Sequence, residues 1–280
     1  MDTKQHVFME VVKQGSFSKA AELLFMSQPA ISQHVKQYEL ELSTTLFDRS
    51  TKKLRLTAAG QIAYDYCLKM KALQEELTQA LDDLTNEVKG KLTVGASYSY
   101  GEYILPKVIA QFLQKYPQVE PQIEIHNTSE IAEKVLNQQI HVGLVEGKVN
   151  HPQIERIRFA QDQMVLVANE PLQTLQGNET WIIREQGSGT RAAVERFWHA
   201  QSIQPKRIQQ YGSTQLIKGA VMAGIGVSLL SKWTVEQEIA QQQLFVIDAP
   251  RLTWHRDFYC IQLKEQVKPK VVKTFIEFLT

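Results

Sequence analysis

The chain has 280 residues, too many for one ordinary core and suited to two or three domains. Its 43% hydrophobic and 22% charged content is that of a globular chain and excludes disorder or a collagen-like repeat. The longest nearly apolar run, Gly219–Leu230, falls short of the roughly twenty residues that a bilayer span needs, and a net charge of +1 directs the search for charged partners to local clusters.

Met1–His6 has no apolar run behind it, so no export signal is expected, and Cys67 and Cys260 form neither a CxxC pair nor a disulfide ladder. A reduced, cytoplasmic protein without a membrane partner is the expectation. Val7, Phe8, Val11 and Val12 recur at helical spacing up to Gly15, a natural stop. Ser18 is a candidate N-cap for a second helix over Lys19–Phe25, with Ala20, Ala21 and Leu24 inward. Ser27 caps a third helix with Pro29 in its first turn, where the missing N–H costs nothing. Ile31, Val35, Tyr38 and Leu42 form its apolar stripe. Two helices joined by a short turn, the second N-capped and polar outward, form a helix-turn-helix pattern. Ser27, Gln28, Pro29, Ala30, Ser32, Gln33 and Lys36 lie on or near the outward face. Glutamine can pair with adenine edges, and proline or alanine can touch a thymine methyl. A merely solvated face is the plainer reading of any one of these residues.

Leu46–Thr57 reads as two short β-like runs around a polar turn, a wing. Its cations Arg49, Lys52, Lys53 and Arg55 could touch phosphates or simply be solvated. Thr57 caps a long helix over about Ala58–Val88, in which Tyr66, Met70, Leu73, Leu77, Ala80 and Leu84 step alternately by four and three. That seam needs a partner, and a second copy is the simplest. Lys89-Gly90-Lys91 marks a boundary.

From Lys91 strands and helices alternate, which argues a parallel or mixed α/β sheet. Strands are predicted over Leu92–Ala96, Gln122–His126, Val142–Val145, Met164–Ala168, Trp181–Ile183, Arg207–Tyr211, Val227–Leu229, Leu244–Ile247 and Phe258–Leu263. Helices are predicted over Tyr103–Tyr116, Thr128–Asn137, Thr190–Gln201, Gln215–Ala223 and Pro269–Leu279. Two such blocks suggest two subdomains with a cleft between them. Ser97, Tyr98 and Ser99 follow the first strand, Thr128 and Ser129 the next, and Ser188, Gly189 and Thr190 a later one. In strand-to-helix turns, open N–H groups and hydroxyls together suit an anion, although plain N-capping explains any one group alone. Open α/β sheets bind ligands outside the carboxyl ends of their strands. Arg184 and Arg191 could add charge, and Glu146 and Thr214 are candidates for the rim.

At these residues the chain resembles a known family. "FMEVVKQGSFSKAAELL", "SQPAISQHVKQYELEL" and "LFDRSTKKLRLTAAG" are similar to the winged helix-turn-helix of LysR-type transcriptional regulators. "YPQVEPQIEI" and "GSTQLIKGAVMAGIGVSLLS" stand in the family's order and spacing, so the resemblance covers essentially the whole chain. "GEYILP", "LVEG" and "REQGSGTR" are similar to a branch that includes regulators of sulfur assimilation. His141 departs from the family, many of whose members carry aspartate there.

The resemblance implies a cytoplasmic regulator that binds promoter DNA as a homodimer or homotetramer, with RNA polymerase as a further partner. It implies an N-terminal winged helix-turn-helix over 1–57, a linker and dimerisation helix over 58–89, and a two-lobed α/β domain of periplasmic-binding-protein type over 90–280. Lobe I would comprise about 91–160 and 264–280 and lobe II about 161–263, with a hinge at crossover strands near Ala160 and Leu263. A small, anionic effector between the lobes is expected, with no other cofactor and no metal.

Two other classes share part of this pattern. A transport-type binding protein would share the two-lobed domain but lacks the winged helix and needs an export signal. An enzyme would need a linked acid, base and nucleophile or a metal set, and none is visible. Gly224-Ile225-Gly226 lacks the third glycine of a dinucleotide loop, Gly187-Ser188-Gly189 is not GxSxG, and the histidines show no HxxH or HExxH spacing.

Overall fold

A computed structural model describes residues 2–48, 54–82, 87–175, 177–247, 254–264 and 268–280. The chain divides into two compact units, the first Met1–Leu84 with Asn137–Gln139 and the second Thr85–Leu136 with Ile140–Thr280. In the first unit, α1 (Thr3–Gln14) ends at Gly15, whose φ of 60° lies in the left-handed region that glycine adopts freely. The second helix, α2 (Phe17–Leu23), starts two residues earlier than expected. Ser16, not Ser18, is its N-cap and accepts the Lys19 N–H, which puts Phe17 in the first turn with its ring 5.5 Å from that of Phe47. For α3 (Gln28–Glu41) the expected start holds, with the Ser27 hydroxyl accepting the Ala30 N–H at 3.3 Å and Pro29 in the first turn. Ile31, Val35 and Tyr38 are buried, but Leu42 is 43% exposed, so the apolar stripe ends one step sooner than expected, with the helix itself.

Phe8 is the hub of this core, its ring centroid 5.6, 5.5 and 6.4 Å from those of Tyr38, Phe47 and Tyr64. Burying such a side chain contributes about 1.5–3 kcal/mol. Strands β1 (Phe47–Asp48) and β2 (Arg55–Leu56) pair antiparallel as the wing. The Thr57 hydroxyl accepts the Gly60 N–H at 2.9 Å and caps α4 (Ala58–Asp82). Cys67 faces inward from α4, its sulfur 3.3 Å from the Tyr38 hydroxyl, and burial pushes its thiol pKa up. Tyr66, Met70, Leu73 and Leu77 lie exposed along α4; the Ala80 side chain and Leu84 lie outside the description.

The second unit is α/β. Its chain runs β3 (Gly90–Ala96), α5 (Tyr98–Tyr103), α6 (Leu105–Lys115), β4 (Val119–Ile125), α7 (Thr128–Leu136) and β5 (Val142–Glu146). β6 (Ile154–Ala168), β7 (Thr180–Arg184), α8 (Gly189–Ala200), β8 (Arg207–Tyr211) and α9 (Thr214–Met222) follow. Last come β9 (Ser228–Ser231), α10 (Lys232–Ala240), β10 (Phe245–Val246), β11 (Trp254–Leu263) and α11 (Lys270–Leu279). The seven-stranded sheet has the order β10-β6-β11-β5-β3-β4, with β9 also on β6, and β7 and β8 form a separate parallel pair.

The helix expected over Tyr103–Tyr116 is α6, with Pro106 in its first turn, where the missing N–H costs nothing, and the short α5 before it was not expected. His141 replaces a ladder partner: its Nδ1 accepts the Thr93 N–H at 3.1 Å while its own N–H donates to the Thr93 carbonyl. That bond explains the histidine locally.

Two strands cross between the lobes. β6 begins ten residues before the expected Met164, and β11 begins at Trp254. They pair over the full length of β11, but only Phe258–Ile261 also pair with β5. The register shift sits at Phe258/Tyr259 opposite Ala160, and Leu263 pairs with Ile154 at the far end of the ladder. Leu92, Phe112, Val271 and Phe275 centre one core. Trp181, Phe197 and Leu229 centre another. Cys260 is buried in β11, and burial pushes its thiol up to about 12. No helix among the described residues is long and apolar enough to cross a membrane.

Candidate functional sites

In the first unit, the face of α3 away from the Phe8 core is the polar one. Ser27, Gln28, Pro29, Gln33 and Lys36 are exposed, and Ala30 and Ser32 half-buried. Gln28 Nε2 donates to the Ser32 hydroxyl at 3.0 Å, which steadies one long side chain at the helix start. Gln33 and Lys36 follow one turn on, so a row of donors and acceptors runs along the first half of the helix. Arg55, exposed on β2, stands opposite Asp48 in the wing ladder. Arg49, Lys52 and Lys53 lie outside the described residues.

In the second unit, the hydroxyl-bearing turns converge where the lobes meet. Glu146, at the end of β5, was expected at the rim but is buried. Its carboxylate accepts the Ser99 N–H at 3.2 Å, the Thr190 hydroxyl at 3.0 Å and Arg256 Nη1 at 2.7 Å. Arg256 also donates to the Ser99 hydroxyl at 3.0 Å and, through Nε, to Asp162 at 2.8 Å. The Ser231 hydroxyl donates to the other Asp162 oxygen at 2.9 Å. Burial opposes ionisation of Glu146, but the Arg256 charge and the Ser99 and Thr190 hydrogen bonds outweigh it and lower its pKa. For Asp162 burial prevails and raises the pKa. Two buried carboxylates thus share one arginine.

A second cluster joins Tyr98, Arg184 and Thr214. Arg184 is fully buried, not on the surface. It donates twice to Glu185, at 2.7 and 2.8 Å, and to the Thr214 hydroxyl at 3.4 Å, and lies 4.1 Å over the Tyr98 ring. Thr214 is likewise buried, not at a rim. Beside it, Lys218 reaches Glu238, the Thr234 carbonyl at 2.7 Å and the Tyr103 hydroxyl at 3.3 Å.

The third contact is made to backbone carbonyls. Ser129 N–H donates to the Gly187 carbonyl at 3.2 Å, and the Thr128 hydroxyl to the Glu146 carbonyl at 3.4 Å. A Cβ on Gly189 would stand 2.6 Å from the Glu146 carbonyl oxygen, so only glycine lets α8 start this close. Ser188 caps α8 by accepting the Arg191 N–H, and Arg191 braces Gln210 and Glu195. Ser97 is different. It is the N-cap residue of α5 but makes no cap bond, and its hydroxyl is buried without a hydrogen-bond partner among the described residues.

Sequence reasoning missed Arg256, Asp162, Ser231 and Lys218. A signal existed for Arg256: it alternates with Trp254, Phe258 and Cys260 on one face of its strand. A cation on the apolar side of a strand demands buried counter-charges.

Residues 85–280 match the family described as the LysR substrate binding domain, and residues 4–61 match the bacterial regulatory helix-turn-helix protein, lysR family. The HTH-type transcriptional regulator CysL of Bacillus subtilis (strain 168) is 34% identical over 277 residues, 95% of this chain and 92% of that one. The regulatory domain of CcmR from Synechocystis PCC6803, solved in complex with 2-PG, is 26% identical with a TM-score of 0.60, covering 68% of this chain and 96% of that one. Full-length CbnR, solved with its target DNA, has a TM-score of 0.74 at 23% identity over 100% of this chain and 99% of that one, which speaks to fold alone.

Proposed function

The chain belongs to the LysR family of transcriptional regulators, and from that premise we propose that it binds promoter DNA as a homodimer whose grip is altered by a small anionic effector held between the lobes of its second unit. It acts by binding, not by catalysis, and works in the cytoplasm, where the DNA is. Gln28, Gln33 and Lys36 read the major groove from α3, and Arg55 holds phosphate. The exposed seam of α4 pairs with that of a second copy.

The observation that carries the effector assignment is the Ser97 hydroxyl. A buried polar group without a partner costs about 1–3 kcal/mol, and a ligand oxygen would satisfy it. Thr128 and Ser129 stand at the neighbouring strand-to-helix turn. The small molecule bound by CcmR supports a small-molecule ligand here. An effector changes DNA binding only by preferring one lobe arrangement over another.

A thermal-shift screen with sulfate, thiosulfate, O-acetylserine, dicarboxylates and aromatic acids tests this. A ligand at a hundredfold excess over Kd stabilises by about 2.7 kcal/mol. Ser97→Ala should leave the unliganded protein as stable or more so, yet weaken the hit about tenfold or more. Thr128→Ala should weaken the same hit. A hit unchanged in both variants would place the effector elsewhere.

The DNA assignment separates in a gel-shift series over base-substituted operators. Gln33→Ala should cost about 1–3 kcal/mol on the preferred site and relax discrimination at one base position. Arg55→Ala should weaken all sequences alike and lower the slope of log affinity against log salt by about one. Uniform weakening by Gln33→Ala would remove it from base readout.

A further inference from the structure

Glu146 makes the contacts that a ligand's carboxylate would make. Its three donors come from separate places: the Ser99 N–H from the start of α5, the Thr190 hydroxyl from the first turn of α8, and the guanidinium of Arg256 from crossover strand β11. An amide, a hydroxyl and a guanidinium are a standard receptor for a carboxylate. Here both lobes and the strand between them deliver the set to a side chain that is itself 3% exposed.

Neutralisation does not explain its presence. Arg256 already has the Asp162 carboxylate on Nε, with Ser231 fixing the second Asp162 oxygen. A second buried carboxylate makes the group net negative, which burial disfavours. What Glu146 adds is a bridge: Ser99 belongs to the first lobe, Thr190 to the second, and Gly189 brings the α8 start onto the Glu146 backbone.

We propose that Glu146 is a tethered carboxylate filling an anion subsite on Arg256, so that it clasps the lobes without ligand and leaves the effector only the donors around Ser97. It follows that the effector presents one anionic group to the cleft. A dicarboxylate reaching toward Arg256 would meet Glu146 and be repelled. The last two statements rest on the cleft reading above; the occupied subsite does not.

The test is replacement of the tethered group by a free one. Glu146→Ala in the full chain should lower Tm on the order of 10 °C, because it leaves the Arg256 network with a vacant place. Sodium formate at about 100 mM should restore about 5–10 °C of it, saturably, as a ligand with a Kd near 1 mM would. Sodium chloride at equal ionic strength should restore none. Wild type and Glu146→Gln, in which the place is filled, should show no formate response beyond the chloride control.

Equal formate responses in wild type and Glu146→Ala, or none in Glu146→Ala, would overturn the proposal. Should Glu146→Ala be recovered only unfolded, refolding yield in formate against chloride is the readout, and equal yields overturn it likewise. An effector hit lost in Ser97→Ala but no formate rescue would remove the tethered carboxylate and leave the cleft. Formate rescue with an effector unaffected by Ser97→Ala would do the reverse.

Discussion

Leu73→Glu combined with Leu77→Glu should convert the protein to a monomer at micromolar concentration and lower its affinity for a two-half-site operator about 100-fold or more. The argument starts from α4, whose inner side is spent on the core through Cys67 while Tyr66, Met70, Leu73 and Leu77 stay on its outside. Leu73 and Leu77 are 54% and 61% exposed, one turn apart. Covering a leucine contributes about 1.5–3 kcal/mol, and a twofold interface counts each twice. Two substitutions thus remove several kcal/mol from association and set four carboxylates against each other. The fold of the unit should survive, since glutamate is a good helix former on an exposed face. A monomer offers one recognition helix, so the second half-site contact, worth 10²–10⁴ in avidity, is lost. Sedimentation analysis with a gel shift on one-half-site and two-half-site DNA checks both parts. Half-site binding should be unchanged. A variant that still sediments as a dimer would mean that association runs through the second unit.

What the sequence disclosed was mostly local. The stop at Gly15, the Ser27–Pro29 start and the Thr57 cap are encoded within a turn of where they act, and all three stand as expected. The start of α2 was misplaced because Ser16 and Ser18 are both able caps. The choice is made by Phe17, which must reach Phe47, thirty residues on in the chain. The first ten residues of β6 were missed for a related reason. Glu155, Arg156, Arg158, Gln161, Asp162 and Gln163 dilute its hydrophobicity, and only pairing with β11 makes it a strand. The candidate cleft divides the same way. Its serines and threonines were visible because strand-to-helix turns announce themselves with hydroxyls. Its central arginine was not, because Arg256 acquires meaning from Asp162 and Glu146, 94 and 110 residues away. Burial then changed the roles of Glu146, Arg184 and Thr214, which alternation alone had left at the surface.

Gly60→Ala should destabilise the first unit by about 2–3 kcal/mol, although alanine is the better helix former by about 1 kcal/mol. Gly60 sits in the first turn of α4, where an added Cβ would stand 2.0 Å from the Leu46 carbonyl oxygen and 2.9 Å from its carbon. Both are backbone, so no side chain can swing aside. The same carbonyl accepts the Thr57 N–H at 3.0 Å, which ties the start of α4 to the segment between α3 and the wing. Moving the helix far enough to admit a methyl would strain that bond and the Thr57 cap together, and the clash exceeds the propensity gain. For a unit of this size the loss corresponds to a Tm drop on the order of 10–20 °C. DNA binding should weaken with it, since the same contact sets the wing beside α3. Gly219, inside α9, is the control. Nothing lies within 4 Å of the Cβ it would carry, so Gly219→Ala should gain up to about 1 kcal/mol. Far-UV circular dichroism melts and a gel shift on both variants decide the matter. Opposite signs trace the loss at Gly60 to contact with Leu46, whereas a stable Gly60→Ala would mean that the start of α4 yields more easily than a backbone clash allows.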